Sequence, residues 1–96
     1  MATERDSLTK NADGVRLHQS GDHEGAIKAF TEAIDLDPVH ASIYRNRAES
    51  YLAADKTAEA DADIAKADQL VQASVELAIE AHSKTFLQKL WGFIAR

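Results

Sequence analysis

Apolar residues recur along the chain at helical spacing, and the first clear case is the stretch AIKAFTEAIDLDP, residues 26–38. Ala26 lies four positions before Phe30 and Ala33 lies three positions after it, so all three fall on one face of a helix. Small residues beside one large residue suit a face that packs closely on a second helix. Pro38 ends the pattern because proline cannot continue a helix. The stretch therefore predicts a buried helix.

The same order of small and large residues returns 34 positions later, as Ala60, Ile64 and Ala67. The correspondence extends beyond these three positions, with small residues falling on small ones and large on large. The matched pairs are Gly14 with Ala48, Leu17 with Tyr51, Ala26 with Ala60, Phe30 with Ile64, Ala33 with Ala67, and Leu36 with Leu70. A fixed period of this length indicates a supersecondary unit that stacks on a copy of itself.

Turn signals divide the chain into helices. They are the segments SGD at 20–22, LDP at 36–38 and ADKT at 54–57. Between the last two, Tyr44, Ala48 and Tyr51 share one helical face. We predict an all-α fold with helices over 7–20, 23–36, 41–54 and 57–70.

The chain after residue 70 carries no signal for the end of the fourth helix, since no proline or glycine lies between Asp55 and Gly92. Two alternatives stay open: a turn near 70–74, or one continuous helix over 57–91. Apolar residues occupy two neighbouring faces of this segment, which requires two neighbours. The first face contains Val71, Val75, Ala78, Ile79, His82, Phe86 and Leu90, and the second contains Leu77, Ala81, Leu87, Trp91 and Ile94.

Composition and charge exclude several classes of function. The chain has no cysteine, so we expect no disulfide framework and a reducing, cytoplasmic compartment. Its net charge is −5 and its 11 Lys and Arg residues are scattered, which argues against nucleic-acid binding. No apolar run approaches the roughly 18 residues that a membrane span requires.

No arrangement of side chains indicates catalysis or a metal centre. The histidines lack the HExxH spacing, and no GxSxG elbow or phosphate-binding loop is present. The acidic cluster Asp55, Glu59, Asp61 and Asp63 lacks the glycine and the bidentate glutamate of a calcium loop, so we interpret it as a solvated helix face. We expect a non-enzymatic protein with no cofactor and no metal.

The small, large, small, aromatic, small and proline positions of this period resemble the tetratricopeptide repeat (TPR) family. In the first unit they fall on Gly14, Leu17, Ala26, Phe30, Ala33 and Pro38, and in the second on Ala48, Tyr51, Ala60, Ile64, Ala67 and Gln72. The resemblance implies antiparallel helix-turn-helix repeats, a fragment of an α-solenoid with a long C-terminal helix. We expect a disordered segment at 1–6, repeats at 7–40 and 41–74, and a capping or dimerisation helix at 75–96.

The resemblance also implies an adaptor or scaffold that binds a protein or peptide in a concave groove. The groove residues carried over from the family are Asn11, Val15, His18, Arg45, Asn46, Glu49 and Ile79. Asn46 lies in the sequence NRA, as in chaperone-binding members that hold the terminal carboxylate of a peptide, which suggests a co-chaperone-like role. Glu76 and Glu80 stand where that clamp has basic residues, and they would repel an acidic tail.

An apolar cluster near the C-terminus supports an alternative function. Burial of each large side chain contributes about 1.5–3 kcal/mol, so the cluster should be covered. Its members include Phe86, Leu87, Leu90, Trp91 and Ile94. The cover is either the chain's own repeats, a second copy that exchanges helices in a homodimer, or a membrane surface or partner helix. The alternative is therefore a self-associating assembly protein.

Overall fold

The structure is a computed structural model that describes residues 4–94, and these residues form four α-helices and no strand. Helix α1 spans Glu4–Gln19, α2 spans His23–Leu36, α3 spans Ala41–Ala53 and α4 spans Thr57–Ile94. The all-α fold predicted from the hydrophobic pattern is confirmed. No helix among the described residues is long and apolar enough to cross a membrane.

The outer ends of the first and last helices differ from the sequence prediction. Residues 4–6, which we expected to be disordered, form the first turn of α1, where Glu4 and Asp6 favour the positive end of the helix dipole. Residues 1–3 and 95–96 lie outside the described residues. Helix α4 does not end at residue 70 but continues for 38 residues in all, because no residue in the segment breaks the helix.

The helices pack in chain order, α1 on α2, α2 on α3 and α3 on α4. Short connections hold these hairpins: Gly21 takes a φ of 90° before α2, and Asp55 takes a φ of 61° before α4. Asp22 caps α2 by accepting a hydrogen bond from the Gly25 amide at 3.0 Å. The core is drawn from α2, α3 and α4 and contains Ala26, Phe30, Ala33, Ile34, Ile43, Tyr44 and Ala67.

The contact between α1 and α2 depends on the absence of a side chain at Gly14. A Cβ atom added there would lie 2.5 Å from the Cε1 atom of Phe30, which is closer than two carbon atoms approach without displacement. The Phe30 ring is buried among α2, α3 and α1 neighbours and has little room to move. A glycine inside a helix costs stability, so its presence at position 14 is explained by this close approach.

We expect Gly14→Ala to destabilise the protein by about 1–3 kcal/mol in urea unfolding, since overpacking against Phe30 outweighs the higher helix propensity of alanine. Gly92→Ala is the matched control, because nothing lies within 4 Å of a Cβ built there. The control should leave stability unchanged or raise it by up to about 1 kcal/mol. Equal stability of the two variants would contradict the packing of Phe30 on Gly14.

The second half of α4 projects from the packed hairpins. Every residue from 71 to 94 is exposed, and at 1.5 Å per residue this part is about 36 Å long. The molecule measures 65 × 32 × 18 Å, and its radius of gyration of 18.7 Å exceeds the value of about 12–13 Å for a compact chain of this length. Within the described residues α4 therefore does not fold back over its own repeats, and the intramolecular cap considered from the sequence is not formed.

Candidate protein-binding face

The best-defined polar feature of the face shared by α1 and α3 is a pair of asparagines. The Nδ2 atom of Asn46 on α3 donates a hydrogen bond to Oδ1 of Asn11 on α1, at 3.0 Å, and both side chains are half-buried. This bond fixes the orientation of both amides. It leaves the Asn11 NH₂ group as a donor and the Asn46 carbonyl oxygen as an acceptor for a ligand.

Apolar residues lie on the same two helices as this amide pair. Val15, one turn after Asn11, is half-buried and packs against the core. Leu8, about one turn before Asn11, is 47% exposed, and Leu52 near the end of α3 is 48% exposed. The face therefore combines fixed amide groups with partly open apolar side chains, a composition that suits peptide binding.

The charged residues of this face have mixed signs. Arg45 forms an ion pair with Asp68 of α4, with 3.3 Å between Nη2 and Oδ1, and both side chains are exposed. An exposed pair of this kind contributes at most about 1 kcal/mol. Glu49, one turn after Arg45, is also exposed. One cation beside two carboxylates gives the face no clear preference for an acidic ligand.

His18 is engaged in contacts inside the protein. Its Nδ1 atom lies 3.1 Å from Oγ of the buried Ser50 on α3 and 3.1 Å from Nδ1 of His23 on α2. The two imidazole rings are 4.9 Å apart between centroids. His18 therefore connects three helices, and Nδ1, the ring nitrogen that makes both contacts, is not open to a ligand.

The structure brings six of the seven expected groove residues onto α1 and α3 but places Ile79 elsewhere. Ile79 lies on the projecting part of α4 and is exposed. The sequence interpretation assumed that this segment lines the groove as a third helix, and it does not, because α4 continues straight past residue 70. The cluster expected to cap or self-associate lies on the same projecting part, and its members Phe86, Leu87, Leu90, Trp91 and Ile94 are all exposed.

A buried ion pair between α3 and α4 was missed by the sequence interpretation. Arg47 donates from Nε to Oδ2 of Asp63 at 2.8 Å and from Nη2 to Oδ1 at 2.7 Å, a bidentate geometry. Its Nη1 atom also donates to Oγ1 of Thr31 on α2 at 3.2 Å. Asp63 is therefore buried, which corrects its assignment to a solvated acidic face. The hydrogen bonds to Asp63 raise the pKa of the Arg47 guanidinium, against an opposing effect of burial.

Two tyrosines frame this ion pair. The Arg47 guanidinium carbon lies 5.9 Å from the ring centroid of Tyr44 and 5.6 Å from that of Tyr51. Tyr44 also donates its hydroxyl to the carbonyl oxygen of Pro38 at 2.9 Å, and burial raises the pKa of this phenol. The sequence did contain a signal for Arg47, which shares a helical face with Tyr44 and Tyr51 at spacings of three and four.

One group of side chains in the described structure has the composition of a metal site. Atoms of Glu4, Asp37 and His40 lie within 4.8 Å of one another, with His40 Nε2 at 3.0 Å from Asp37 and 3.4 Å from Glu4. All three residues are exposed or half-buried. A histidine shared by two carboxylates accounts for the arrangement, which ties the start of α1 to the connection between α2 and α3.

Comparison with known proteins supports the family suggested by the repeat. The TPR repeat family matches residues 14–54, which include the end of α1, all of α2 and all of α3. The protein STIP1 homolog of Dictyostelium discoideum is 45% identical over 57 residues, which amount to 59% of this chain and 10% of that protein. The chain thus matches about a tenth of the length of this relative. No solved structure gives a significant match. The match over residues 14–54 and the similarity to this relative together support a tetratricopeptide repeat assignment for this part of the chain.

Proposed function

We propose that the chain is a non-enzymatic protein-interaction module that binds a peptide across the face of α1 and α3. The match of residues 14–54 to the TPR repeat family supports an interaction module in general. The hydrogen bond between Asn46 and Asn11 is the observation that supports the groove as the binding site. A cytoplasmic location is part of the proposal and fits a chain without cysteine.

Fixed amide side chains are suited to recognise a peptide backbone. Each peptide group offers one donor and one acceptor, and an amide side chain held in a fixed orientation satisfies both. The bond between Asn46 and Asn11 holds two such amides in place before a ligand arrives, which lowers the entropy cost of binding. Leu8 and Val15 flank them on α1 and provide apolar contact for ligand side chains.

The residues of this chain do not suit a clamp for an acidic peptide terminus. Two of the positions that would need to be basic are Glu76 and Glu80, and both lie on the projecting, exposed part of α4. Arg45 is already paired with Asp68. We therefore propose recognition of an internal peptide backbone with apolar side chains rather than of a carboxylate tail.

Peptide selection followed by calorimetry tests this proposal. Peptides selected from a displayed random library on the full chain are titrated against the parent, Asn46→Ala and Asn11→Ala. We expect each substitution to weaken binding about threefold to tenfold, which corresponds to one lost hydrogen bond. Gln69→Ala is the matched control, since it removes an exposed amide from the outer side of α4 and should leave affinity unchanged.

Two outcomes would count against the proposed site. Selected peptides whose affinity is unaffected by both asparagine substitutions bind elsewhere on the molecule. Peptides that are mostly acidic and lose binding with Arg45→Glu, but not with the control Lys66→Glu on α4, would show that charge rather than the amide pair recognises the ligand. Preserved affinity in Arg45→Glu is what the mixed charge of the face leads us to expect.

Self-association through the projecting part of α4 is a second candidate function. Its support is the exposure of Phe86, Leu87, Leu90, Trp91 and Ile94 on one unpacked helix, an apolar surface of a kind that soluble monomers rarely expose.

Sedimentation over a concentration series tests this second candidate, with the parent compared to the double variant Phe86→Ala and Trp91→Ala. We expect a dimer in the parent that dissociates in the variant, because large apolar side chains, Phe86 among them, are removed from the exposed surface of α4. A parent that is monomeric at every concentration rejects the candidate.

A further inference from the structure

The projecting part of α4 carries an apolar stripe with a regular period. Successive members are separated by four, four, three, four, four and three residues, an 11-residue repeat of about 3.67 residues per turn. This value is close to the 3.6 of a straight helix, so the stripe stays on one side of α4. Its apolar members are between 39% and 76% exposed. The stripe consists of Val71, Val75, Ile79, His82, Phe86, Leu90 and Phe93.

The stripe of one copy fits the same stripe of a second copy that runs in the opposite direction and is aligned with it at His82. In two antiparallel copies aligned there, Val71 lies level with Phe93, and Ile79 lies level with Phe86 to within one residue. Val75 lies level with Leu90 to the same precision. Each of these layers combines a β-branched residue with a larger one, so the layers have similar volume, as even packing requires. Parallel copies would instead stack phenylalanine on phenylalanine and valine on valine.

Charge along the same segment favours the same direction. Glu76 and Glu80 lie in its first half, and Lys84 and Lys89 lie in its second half. Antiparallel alignment about His82 places the negative first half of one copy beside the positive second half of the other. Parallel alignment would place the two negative halves together and the two positive halves together, which is unfavourable.

The extent of the stripe matches the part of α4 that is not covered by α3. Ala67 is buried, Leu70 is half-buried and packs against the core, and the helix is exposed from Val71 onward. A partner helix that covers residues 71–93 therefore meets no residue already packed in its own molecule. The packed hairpins of the two copies would lie at opposite ends of a paired segment about 35 Å long, so they do not collide.

From these observations we infer that α4 pairs with α4 of a second copy in an antiparallel arrangement centred on His82. The inference deepens, and rests on, the self-association that forms the second candidate function. It adds the direction of the pairing, its register and the face of α4 that takes part.

Cysteine cross-linking of the full chain tests direction and register, and the absence of native cysteine makes each introduced thiol unique. A disulfide requires Cα atoms within about 7 Å. His82→Cys should cross-link to itself, because the two copies of this residue meet. Val75→Cys should not, because the two copies are about 21 Å apart along the axis. A mixture of Val75→Cys and Leu90→Cys should form the mixed disulfide.

Alanine substitutions test which face of α4 is used. Phe86 belongs to the stripe, whereas Trp91 lies on the opposite side of the helix, since five residues correspond to a rotation of about 140°. We expect Phe86→Ala to raise the dissociation constant of the dimer about tenfold or more. Trp91→Ala removes a larger apolar side chain of similar exposure and should change this constant less than threefold.

The outcomes separate this inference from the self-association on which it rests. A dimer in which Val75→Cys cross-links to itself as readily as His82→Cys is parallel and overturns the inference, although self-association stands. A dimer that Trp91→Ala dissociates and Phe86→Ala does not uses the other face, which also overturns it. A chain that remains monomeric rejects both, whether or not α4 then binds vesicles of anionic lipid. The inference is supported if His82→Cys cross-links efficiently to itself, Val75→Cys does not, and Phe86→Ala abolishes the cross-linking of His82→Cys.

Discussion

Phe30→Ala is expected to lower the free energy of unfolding by about 3–5 kcal/mol, a large share of the stability of a chain this short. Phe30 is 1% exposed and touches the position of Gly14 on α1 as well as core residues of the neighbouring helices. Removal of its ring leaves a cavity that rigid helices close only in part. Urea unfolding followed by circular dichroism gives the change in midpoint and slope.

Ile64→Ala provides the matched comparison, because Ile64 occupies the same position 34 residues later in the second unit. Its side chain is 40% exposed, since no further helix packs on that side of α4 within the described residues. We expect this change to cost about 1 kcal/mol. Similar losses for the two substitutions would contradict the unequal burial of the two equivalent positions.

The repeat could be predicted from the sequence because its signals are local. Ala26, Phe30 and Ala33 fix one helical face, and the segments around Gly21, Pro38 and Asp55 fix the connections. Each of these features acts over one or two helical turns, so the four helices follow without knowledge of tertiary contacts. The inner helix boundaries lie within one residue of the predicted ones for this reason.

The course of the chain after residue 70 was not decided by local signals. Every residue there is compatible with a helix, so only a contact with another element would distinguish a turn from continuation. The groove position assigned to Ile79 depended on a turn, whereas α4 continues through Ile79 as one helix. The position of Asn46 depended only on α1 and α3, and its contact with Asn11 lies on the expected face.

The burial of Asp63 in its ion pair with Arg47 was not predicted from the sequence, for a different reason. Asp63 stands among the acidic residues Glu59 and Asp61, and a cluster of this kind is usually solvated. The helical period alone places Asp63 three residues after the buried Ala60 and four before the buried Ala67, on the covered face of α4. We predicted exposure of Asp63 from its charge, although its place in the helical period correctly indicates burial.

Asp63→Ala is expected to destabilise the protein by about 3–5 kcal/mol. The substitution leaves the Arg47 guanidinium, whose side chain is only 17% exposed, without its counter-ion between Tyr44 and Tyr51. Urea unfolding measures the loss. Asp61→Ala, an exposed carboxylate on the same helix, is the control and should change stability by less than about 0.5 kcal/mol.

Replacement of both partners shows whether that loss arises from an unpaired charge. A protein with Arg47→Met and Asp63→Leu together buries no ion, and its apolar side chains can pack on Tyr44 and Tyr51. We expect it to recover most of the stability lost in Asp63→Ala, since well-packed apolar replacements of buried ion pairs are often neutral or stabilising. A double variant as unstable as Asp63→Ala would instead show that the bidentate hydrogen bonds themselves hold α3 against α4. Because the projecting part of α4 begins only eight residues after Asp63, the same pair would then also set the direction in which that part leaves the repeat.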